Sequence, residues 1–322
     1  AMSAGKSLRR VADDIEHKIG IFHNYDLTTE ERAELRAAIK KMHKGSTLRA
    51  AYKGFFAWLG RPELFKPAKG SRLEYSDVFP LVYLKLHMDG IPGAHRHVRH
   101  LLIDEMQDYT PVQYAVLAKL FPCKKTILGD VNQSVNPFSS STSQEIKSVF
   151  RQADCVKLCK SYRSTWEITR FAQGILPDPE LVAIERHGAA PLILGLKNRR
   201  KENERIRQMI EEFSGLDQHT LGIICKTQAQ AEQLHQDIQT EEHPVHLLTS
   251  GSTAFTWGVV VCTVHLAKGL EFDQVIVPDT TEVNYSTAMD RNLLYIACTR
   301  AMHTLVLTFT GQASPFLTPG RQ

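Results

Sequence analysis

The chain has 322 residues, of which 43% are hydrophobic and 23% charged, and its formal net charge is +4. This length favours about two domains, and this composition is typical of a globular protein rather than a disordered or fibrous one. Every apolar run is far shorter than the roughly 20 residues that span a membrane, which argues against a membrane protein. The mild positive charge permits a nucleic-acid partner without requiring one.

The six cysteines include no CxxC pair, and most of them lie in apolar runs such as "GIIC" and "VVVC". Cysteines in such runs behave as small buried hydrophobic side chains. Free thiols in a reducing compartment therefore fit this spacing better than a disulfide framework or a zinc site. We expect a cytoplasmic protein with free cysteines.

Residues 8–58 are predicted to be helical. Thr28 is followed three residues later by Glu31, which is a capping-box pattern, and Gly45 is a plausible helix stop. Aromatic residues follow at near-helical spacing, which is more typical of a core than of a cofactor site: Tyr52, Phe55, Phe56 and Trp58. We predict a helical segment over residues 1–71.

Residues 59–73 contain proline and glycine and indicate a connector. The next stretch, "YSDVFPLVYLKLHMDG", predicts a largely buried helix with Ser76 as its N-cap. It is followed by "IPGAHRHVRH", a basic loop with Arg96, Arg99 and three histidines. This loop is consistent either with a nucleic-acid contact or with an ordinary surface loop.

From residue 99 onwards, short apolar runs alternate with helical patterns. The runs are "HLLID", "KTILGD", "CVKL", "PLILGL", "TLGIIC", "GVVVCTV", "QVIVPD" and "HTLVLTF". Such alternation is typical of βαβ units around a buried parallel sheet. The predicted fold class is therefore α/β.

Two carboxylates end the first of these runs, in "LLIDEMQDYTPVQ". A strand that ends at Ile103 would place Asp104 and Glu105 at the carboxyl edge of a sheet, where ligand sites of α/β proteins form. Asp104 could bind Mg²⁺, and Glu105 could orient and deprotonate an attacking water. The pair is equally consistent with a solvated acidic turn.

The stretches "TILGDVNQSV" and "LCKSYRST" add groups that suit a phosphate. Gln133 follows a strand and could hold a water beside a γ-phosphate. Arg163 could reach a phosphate and Tyr162 could stack on a base, while Ser164 and Thr165 are helix-capping residues. Each stretch alone is also consistent with an ordinary polar turn.

A polar loop separates two apolar strands in "VVVCTVHLAKGLEFDQVIV", and loops of this kind usually contact a ligand. Its polar and glycine positions are Thr263, His265, Lys268, Gly269, Glu271 and Asp273. The later stretch "MDRNLLYIACTRA" predicts a helix closed by Arg300. That residue could be an arginine finger or a cation favoured at a helix C-terminus.

In this order, DExQD, GDxxQ, YRS, TxHxxKGLEFD and LLYxAxTRA resemble the motifs of superfamily 1 helicases of the UvrD/Rep type, over about residues 74 to 310. The resemblance implies a P-loop NTPase fold with two RecA-like domains, ATP bound between them, and single-stranded DNA or RNA crossing both. The predicted boundaries are 72–152 for the C-terminal part of the first domain and 153–322 for the second. Residues 1–71 would be a remnant of an insertion in the first domain.

The same resemblance assigns roles to individual residues. Asp104 would bind Mg²⁺ and Glu105 would be the catalytic base. The γ-phosphate would be contacted or sensed by three side chains: Gln133, Arg163 and Arg300. The rest of the nucleotide would meet Tyr162, which stacks on adenine, Glu271 at the ribose, and the motif residues Lys268 and Gly269. Nucleic acid would pass near Thr263 and His265.

Two further features refine the resemblance. Larger helicases of this type carry a substantial domain between the YRS and TxHxxKG motifs, whereas here Arg163 and Thr263 are only 100 positions apart. The sequences "EMQDYTPVQ" and "LGDVNQSV" resemble those of HelD-type proteins more closely than those of conventional helicases. HelD-type proteins are helicase-like ATPases that remodel RNA polymerase. This favours a HelD-like protein, with RNA polymerase as a further partner, over a conventional DNA helicase.

The family also has a glycine-rich loop, GxxxxGK[ST], whose backbone N–H groups hold the phosphates. The only GK[ST] in this sequence is Gly5-Lys6-Ser7, and no apolar strand precedes it. We therefore expect a first RecA-like domain that lacks its P-loop, in a chain that is the C-terminal part of a larger protein. Its partner would be the missing N-terminal segment, without which ATP would bind weakly or not at all.

The alternative is a non-catalytic module that keeps a helicase architecture and binds single-stranded nucleic acid or RNA polymerase. The basic loop at residues 93–100 and the basic run at residues 197–207 support it. The run is also consistent with a solvated helix face.

Overall fold

The computed structural model describes the chain in several ranges. These are residues 12–13, 15–17, 19, 25–42, 47–66, 72–91, 93–133, 142–214, 218–240, 242–252 and 257–317. The chain divides into two compact units, Ala1–Gly129 with Phe138–Ala153 and Asp130–Pro137 with Asp154–Gln322. The predicted helix stop at Gly45 and the tripeptide Gly5-Lys6-Ser7 lie outside the described residues. Within the described ranges, no helix has both the length and the apolar character that crossing a membrane requires.

The first unit packs helices beside a two-stranded parallel sheet. Its elements are α1 (Thr29–Met42), α2 (Leu48–Trp58), α3 (Tyr75–Asp89), β1 (His100–Ile103), α4 (Pro111–Leu120), β2 (Lys124–Ile127) and α5 (Ser143–Val149). The strands are in register from His100 opposite Lys124 to Ile103 opposite Ile127. A small core joins the sheet to α4 and α5 through Ile103, Tyr114 and Ile146.

The predicted capping box at the start of α1 is confirmed. The backbone N–H of Thr28 donates to Oε2 of Glu31 at 2.8 Å, and the N–H of Glu31 donates to Oγ1 of Thr28 at 3.2 Å. The prediction of a wholly core aromatic stripe on α2 is wrong in part. Tyr52 is buried, but Trp58 is 81% exposed, because the stripe runs past the contact with α3.

Two predictions for α3 are wrong. Ser76 is not its N-cap, because the helix begins one residue earlier, at Tyr75, and Glu74 occupies the cap position without a side-chain hydrogen bond. The helix is also not largely buried, since only Leu81 and Leu86 are. It packs against α2 and α4 through one stripe, and the rest of its surface remains accessible.

The second unit is built on a six-stranded sheet in which every pairing is parallel. Its strands are β5 (Leu192–Leu196), β6 (Thr220–Cys225), β7 (Val245–Leu247), β8 (Gly258–Thr263), β9 (Phe272–Val277) and β10 (Ala301–Thr310). Their order across the sheet is β5-β10-β9-β6-β8-β7. The α/β class with parallel sheets is therefore confirmed, while the predicted domain boundaries stay a prediction.

In the described residues of this unit, five α-helices and a small second sheet surround the large sheet. The helices are α6 (Trp166–Ile175), α7 (Arg199–Ser214), α8 (Gln228–Ile238), α9 (Val264–Ala267) and α10 (Ala288–Cys298). The small sheet pairs β3 (Lys160–Ser161) with β4 (Val182–Ala183) in parallel. The predicted strand at "CVKL" is wrong, since Val156 and Leu158 are 82% and 87% exposed and only the residues after them find a pairing partner.

Both faces of the six-stranded sheet are buried along its central strands, where alternate residues serve the two faces. On one face, Leu221 and Ile223 of β6 pack in a cluster that includes residues of α7 and α8. On the other, Val260 and Cys262 of β8 pack with residues of α6 and α10. The continuous apolar runs in the sequence reflect this double burial.

All six cysteines are free, as predicted, but only half of them are buried. These are Cys225, Cys262 and Cys298, which lie in or beside the large sheet. Burial raises the pKa of Cys262 to about 12, so this thiol stays protonated at neutral pH.

Gly222 in the middle of β6 provides a test of this packing. A Cβ at this position would lie 2.6 Å from Cδ2 of the buried Phe272 ring. We expect Gly222→Ala to lower the free energy of unfolding by about 1–3 kcal/mol, because the ring cannot move without disturbing the core. Urea denaturation followed by circular dichroism measures the change.

Gly251 is the matched control in the same unit, because the nearest atom to a Cβ there is Oγ1 of Thr249 at 3.8 Å. Gly251→Ala should change the unfolding free energy by less than about 0.5 kcal/mol. Equal effects of the two substitutions would contradict the close packing of β6 against Phe272.

Candidate nucleotide-binding site

A pocket of about 510 Å³ lies in the second unit, near the start of β9 and β10. Four residues that the sequence analysis singled out line it: Gln133, Tyr162, Arg163 and Glu271. Glu271 immediately precedes β9, so the pocket is at the amino edge of the sheet. The chain thus brings together residues from three separate motifs.

Arg163 and Glu271 form an ion pair inside this pocket. Nε of Arg163 lies 2.6 Å from Oε1 of Glu271, and the two side chains are 33% and 46% exposed. A pair this accessible contributes little to stability. The guanidinium can therefore exchange the carboxylate for another anion. Tyr162 beside it is 67% exposed and presents an open aromatic ring.

The segment that carries Tyr162 and Arg163 is tied to the start of β10. Oγ of the buried Ser164 donates to the carbonyl of Ala301 at 2.6 Å. Thr165 caps α6, since its Oγ1 accepts from the N–H of Ile168 at 3.4 Å. The predicted role of both hydroxyl residues as helix caps therefore holds for Thr165, while Ser164 fixes the segment to the sheet.

Arg186 is a positioning residue that the sequence analysis missed. One of its terminal nitrogens donates to the carbonyl of Met302 at 3.0 Å and also to the carbonyl of Arg163. It thus links the segment of Arg163 to β10. Nothing near Arg186 in the sequence indicates this role, because its partners are 23 and 116 positions away.

Arg300 is buried, with 1% of its surface exposed. The helix α10 ends at Cys298, and Nε of Arg300 donates to the carbonyl of Ile296 at 3.2 Å, as expected of a cation at a helix C-terminus. A terminal nitrogen of the same guanidinium donates to Oε1 of Gln133 at 2.6 Å. The structure therefore joins two predicted site residues directly.

Asp130 completes this polar chain. Its Oδ2 accepts from Nε2 of Gln133 at 2.9 Å, which fixes the orientation of the Gln133 amide. The adjacent Tyr295 also lines the pocket. Burial raises the pKa of Tyr295 to about 12, and the nearby carboxylates of Asp130 and Asp178 add to the shift. The sequence analysis gave Asp130 no role.

Five predicted site residues of the second unit do not line the pocket: Thr263, His265, Lys268, Gly269 and Arg300. Thr263 ends β8 at the carboxyl edge of the sheet, and its Oγ1 accepts from the N–H of Leu266 at 3.3 Å as the cap of α9. His265 is exposed. Lys268 follows α9 as its C-cap, and Gly269 has φ +80°, a left-handed turn that favours glycine.

In the first unit, β1 ends at Ile103 and is followed by the two predicted carboxylates. Asp104 is exposed, and its Oδ1 accepts from the N–H of Glu105 at 2.8 Å. Glu105 has a left-handed backbone with φ +53°, which costs on the order of 1 kcal/mol in a residue other than glycine. Strain of this kind is found preferentially at functional sites.

Gln107 holds Glu105 in place, and Gly129 makes room for Gln107. Nε2 of the buried Gln107 donates to Oε2 of Glu105 at 2.5 Å. Gly129 lets Gln107 approach, because a Cβ at position 129 would lie 2.4 Å from Oε1 of Gln107 and 2.5 Å from the backbone nitrogen of Met106. The glycine of the GDxxQ motif is thus required by the geometry around the carboxylates.

A single exposed carboxylate at a strand end fits Mg²⁺, which keeps several water ligands and is bound through one or two carboxylates plus phosphates. Asp104 has this arrangement. Within the described part of the chain, no three His, Cys, Asp or Glu side chains cluster into a complete metal site. Any Mg²⁺ at Asp104 would therefore depend on ligands from the nucleotide.

The basic run at residues 197–207 lies at the start of α7, and four of its cations are paired with glutamates of the same helix. Lys201 and Arg205 pair with Glu204 at 2.6 Å and Glu212 at 2.8 Å. The fully buried Glu202, which the sequence analysis missed, accepts from Arg199, from the N–H of Asp279 and from Oγ1 of Thr308. This arrangement favours a solvated, ion-paired helix face over a nucleic-acid contact.

The start of α10 is anchored by an ion pair between Nζ of Lys226 and Oδ1 of Asp290, at 2.6 Å. Burial alone would raise the pKa of Asp290, but the bond from Lys226 and the backbone N–H groups of Thr287 and Ser286 lower it to about 2. The carboxylate therefore stabilises the folded state above its unfolded pKa, and this contribution disappears as the pH falls towards 2.

We expect Asp290→Asn to lower the unfolding free energy by about 2 kcal/mol at pH 7, which is the value of a pKa shift of this size. The deficit should shrink steadily between about pH 5 and pH 2, because the wild-type carboxylate becomes protonated there. Urea denaturation at several pH values measures it. A deficit that is independent of pH would contradict the ionic role of Asp290.

Comparisons with known proteins match both parts of the chain. Residues 16–154 match the UvrD/REP helicase N-terminal domain, and residues 258–308 match the UvrD-like helicase C-terminal domain. The chain is 33% identical over 91 residues to the "ATP-dependent DNA helicase srs2" of Schizosaccharomyces pombe, covering 26% of this chain and 10% of that protein.

It is 25% identical over 243 residues to the "Putative ATP-dependent DNA helicase R568" of Acanthamoeba polyphaga mimivirus, covering 65% of this chain and 34% of that protein. The chain thus spans about a third or less of these relatives. A solved C-terminal domain of a possible DNA helicase from Lactobacillus plantarum is 33% identical, with a TM-score of 0.43, over 50% of this chain and 95% of that one. The chain therefore carries UvrD/Rep-type helicase domains, an N-terminal one matched at residues 16–154 and a C-terminal one matched at residues 258–308.

Proposed function

We propose that this chain is part of an ATP-dependent helicase or translocase of the UvrD type, in which ATP hydrolysis drives movement on nucleic acid. The observation that carries the proposal is the pocket of the second unit. There an exposed aromatic ring, an exchangeable guanidinium and a carboxylate line one cavity, as Tyr162, Arg163 and Glu271. These three kinds of group suit the base, the phosphates and the ribose of an adenine nucleotide.

The pocket suits a nucleotide in size and chemistry. Its volume of about 510 Å³ falls in the range of small-molecule sites. The Tyr162 ring would stack on the base. The Arg163 guanidinium would form paired hydrogen bonds to phosphate oxygens, which its planar fork matches. When Arg163 exchanges Glu271 for a phosphate, the Glu271 carboxylate could accept a hydrogen bond from a ribose hydroxyl.

Gln133 and Arg300 would respond together to the γ-phosphate. The Arg300 guanidinium is already bonded to the Gln133 amide, and Asp130 holds the other end of that amide. If a phosphate replaced Gln133 as the acceptor of this Arg300 nitrogen, the Gln133 amide would remain bonded to Asp130, so the change would reach Asp130. This linkage supports the role that the family resemblance assigns to these two residues.

In the first unit we assign Mg²⁺ binding to Asp104 and the catalytic base to Glu105. Mg²⁺ would neutralise charge on the phosphates. The constrained backbone of Glu105 and its bond from Gln107 would hold the carboxylate for a water. Lys268 and Gly269 remain assigned to the nucleotide motif, and Thr263 and His265 to the path of the nucleic acid.

From the two stretches "EMQDYTPVQ" and "LGDVNQSV" we further propose a HelD-like protein with RNA polymerase as a partner. The free cysteines support a cytoplasmic location. The printed sequence contains no complete GxxxxGK[ST] pattern. We therefore propose that this chain by itself binds ATP weakly and is inactive. A micromolar dissociation constant for an ATP analogue with Mg²⁺, measured by calorimetry, would contradict this.

Photoaffinity labelling with 8-azido-ATP tests the pocket even when binding is weak. We expect the label on peptides that contain Tyr162, and we expect Arg163→Ala to reduce it at least about fivefold, because charge-assisted bonds to phosphate are worth roughly 1.5–3 kcal/mol. The control is Lys157→Gln. Lys157 is a nearby exposed cation that pairs with Glu180 and does not line the pocket.

Labelling that is unchanged in Arg163→Ala, or equally reduced in Lys157→Gln, would contradict the assignment of Arg163. Labelling confined to peptides outside the pocket would remove the support for nucleotide binding in this pocket. It would leave the non-catalytic binding module as the better description of the chain.

A further inference from the structure

A second pocket, of about 580 Å³, lies in the first unit at the amino edge of the β1–β2 sheet. It is lined by Arg96, His97, Val98, Arg99, Cys123 and Lys124. Asp104 and Glu105 follow the carboxyl end of β1, so this pocket is at the opposite edge of the sheet from them. The residues come from the basic loop that the sequence analysis singled out and from the start of β2.

The two segments that form this pocket contain no acidic residue. Neither residues 90–103 nor residues 109–129 include an Asp or a Glu. The cations of the two segments are Arg96, Arg99, Lys119, Lys124 and Lys125. The local field is therefore positive without a compensating carboxylate on either segment.

Three of these cations are exposed and unneutralised. Arg96, Arg99 and Lys124 are exposed, and among the described residues none of them has a carboxylate partner. The cations of α7 behave differently, because Lys201 and Arg205 are each paired with a glutamate. Exposed cations that are gathered in one pocket without partners indicate an anionic ligand.

The surrounding contacts hold the pocket in shape. β1 and β2 place His100 opposite Lys124, and Nε2 of His100 is 2.8 Å from Oγ1 of Thr126. The His95 ring packs on Phe121, with the ring centroids 4.9 Å apart. The basic loop is thus tied at two points, to Phe121 before β2 and to Thr126 within β2, which fixes the backbone that carries the cations.

We propose that Arg96, Arg99 and Lys124 bind backbone phosphates of a nucleic acid, as a contact separate from Thr263 and His265. Guanidinium groups match phosphate oxygens in pairs, and a lysine adds a point charge. The lining residues include no Phe, Tyr or Trp, and His97 supplies their only ring, so the lining favours contacts to phosphates over stacking on several bases. It is an open groove lined from two segments, which suits a run of phosphates better than a single free phosphate.

This inference holds whether or not the chain hydrolyses ATP. Fluorescence anisotropy with a labelled single-stranded oligonucleotide tests it at several salt concentrations. The test variant combines Arg96→Gln, Arg99→Gln and Lys124→Gln. The control variant combines Lys53→Gln, Arg72→Gln and Arg151→Gln, which removes the same charge from exposed positions elsewhere in the first unit.

We expect the test variant to bind at least about tenfold more weakly at about 50 mM salt. The slope of log K against log salt should fall by about 2 in magnitude, because each phosphate contact on a single strand contributes roughly 0.7. The control should stay within about twofold of the parent. Circular dichroism confirms that each variant is folded.

Three results would overturn the inference: no binding by the parent chain, equal losses in the test and control variants, or an unchanged salt slope in the test variant. Stoichiometric binding of inorganic phosphate that is lost in the test variant, with oligonucleotide binding unchanged, would show a free-anion site instead. His265→Ala is a separate arm that reports only on the proposed nucleic-acid path. A loss there without a loss in the test variant contradicts this inference and leaves the proposed function intact.

Discussion

Burial on both faces of the six-stranded parallel sheet is the constraint from which the candidate site follows. Because helices cover each face, polar side chains of the sheet can reach a ligand only at the amino or carboxyl ends of the strands. Glu271 precedes β9 and Arg300 precedes β10, and these strands are neighbours in the sheet. The two residues are therefore delivered to the same edge, although they are 29 positions apart in the chain.

Arg163 and Arg300, the two arginines predicted to contact phosphate, differ in their exposure to solvent. Arg163 is partly exposed and its ion pair with Glu271 is easily exchanged. Arg300 is buried, and a buried guanidinium that lost its hydrogen bonds would cost several kcal/mol. Its bonds to Ile296 and Gln133 meet part of that need. One arginine is thus suited to capture a phosphate, and the other to report its arrival through Gln133.

The sequence predicted the long elements of this fold well. Strands such as β6 and β8 are continuous apolar runs because they are buried on both faces, and their pattern is unambiguous. The sequence-based prediction failed on short elements. The run "CVKL" is apolar but has no partner strand, and the three-residue edge strand β7 escaped notice because its core-facing pattern is too brief to recognise. The N-cap is Glu74, two residues before the predicted Ser76, which is within the usual uncertainty at a helix end.

The motif residues could be found from sequence, but their supports could not. Gln133, Tyr162, Arg163 and Glu271 occur in recognisable local patterns, and the structure brings them into one pocket. Arg186 and Glu202 act through partners up to 116 positions away, so no local pattern marks them. The bond from Arg300 to Gln133 joins two motifs across 167 positions and likewise becomes visible only in the fold.

The most direct test of the account is ATP hydrolysis by the longest natural polypeptide that contains these 322 residues, measured with and without single-stranded DNA. The account predicts that DNA stimulates hydrolysis and that Glu105→Gln lowers the stimulated rate by about 10²–10⁴, the usual contribution of a general base. Glu105→Gln keeps the shape of the side chain, so the fold should be retained. Hydrolysis at the parent rate in this variant would contradict the assignment of the catalytic base and, with it, the proposed site.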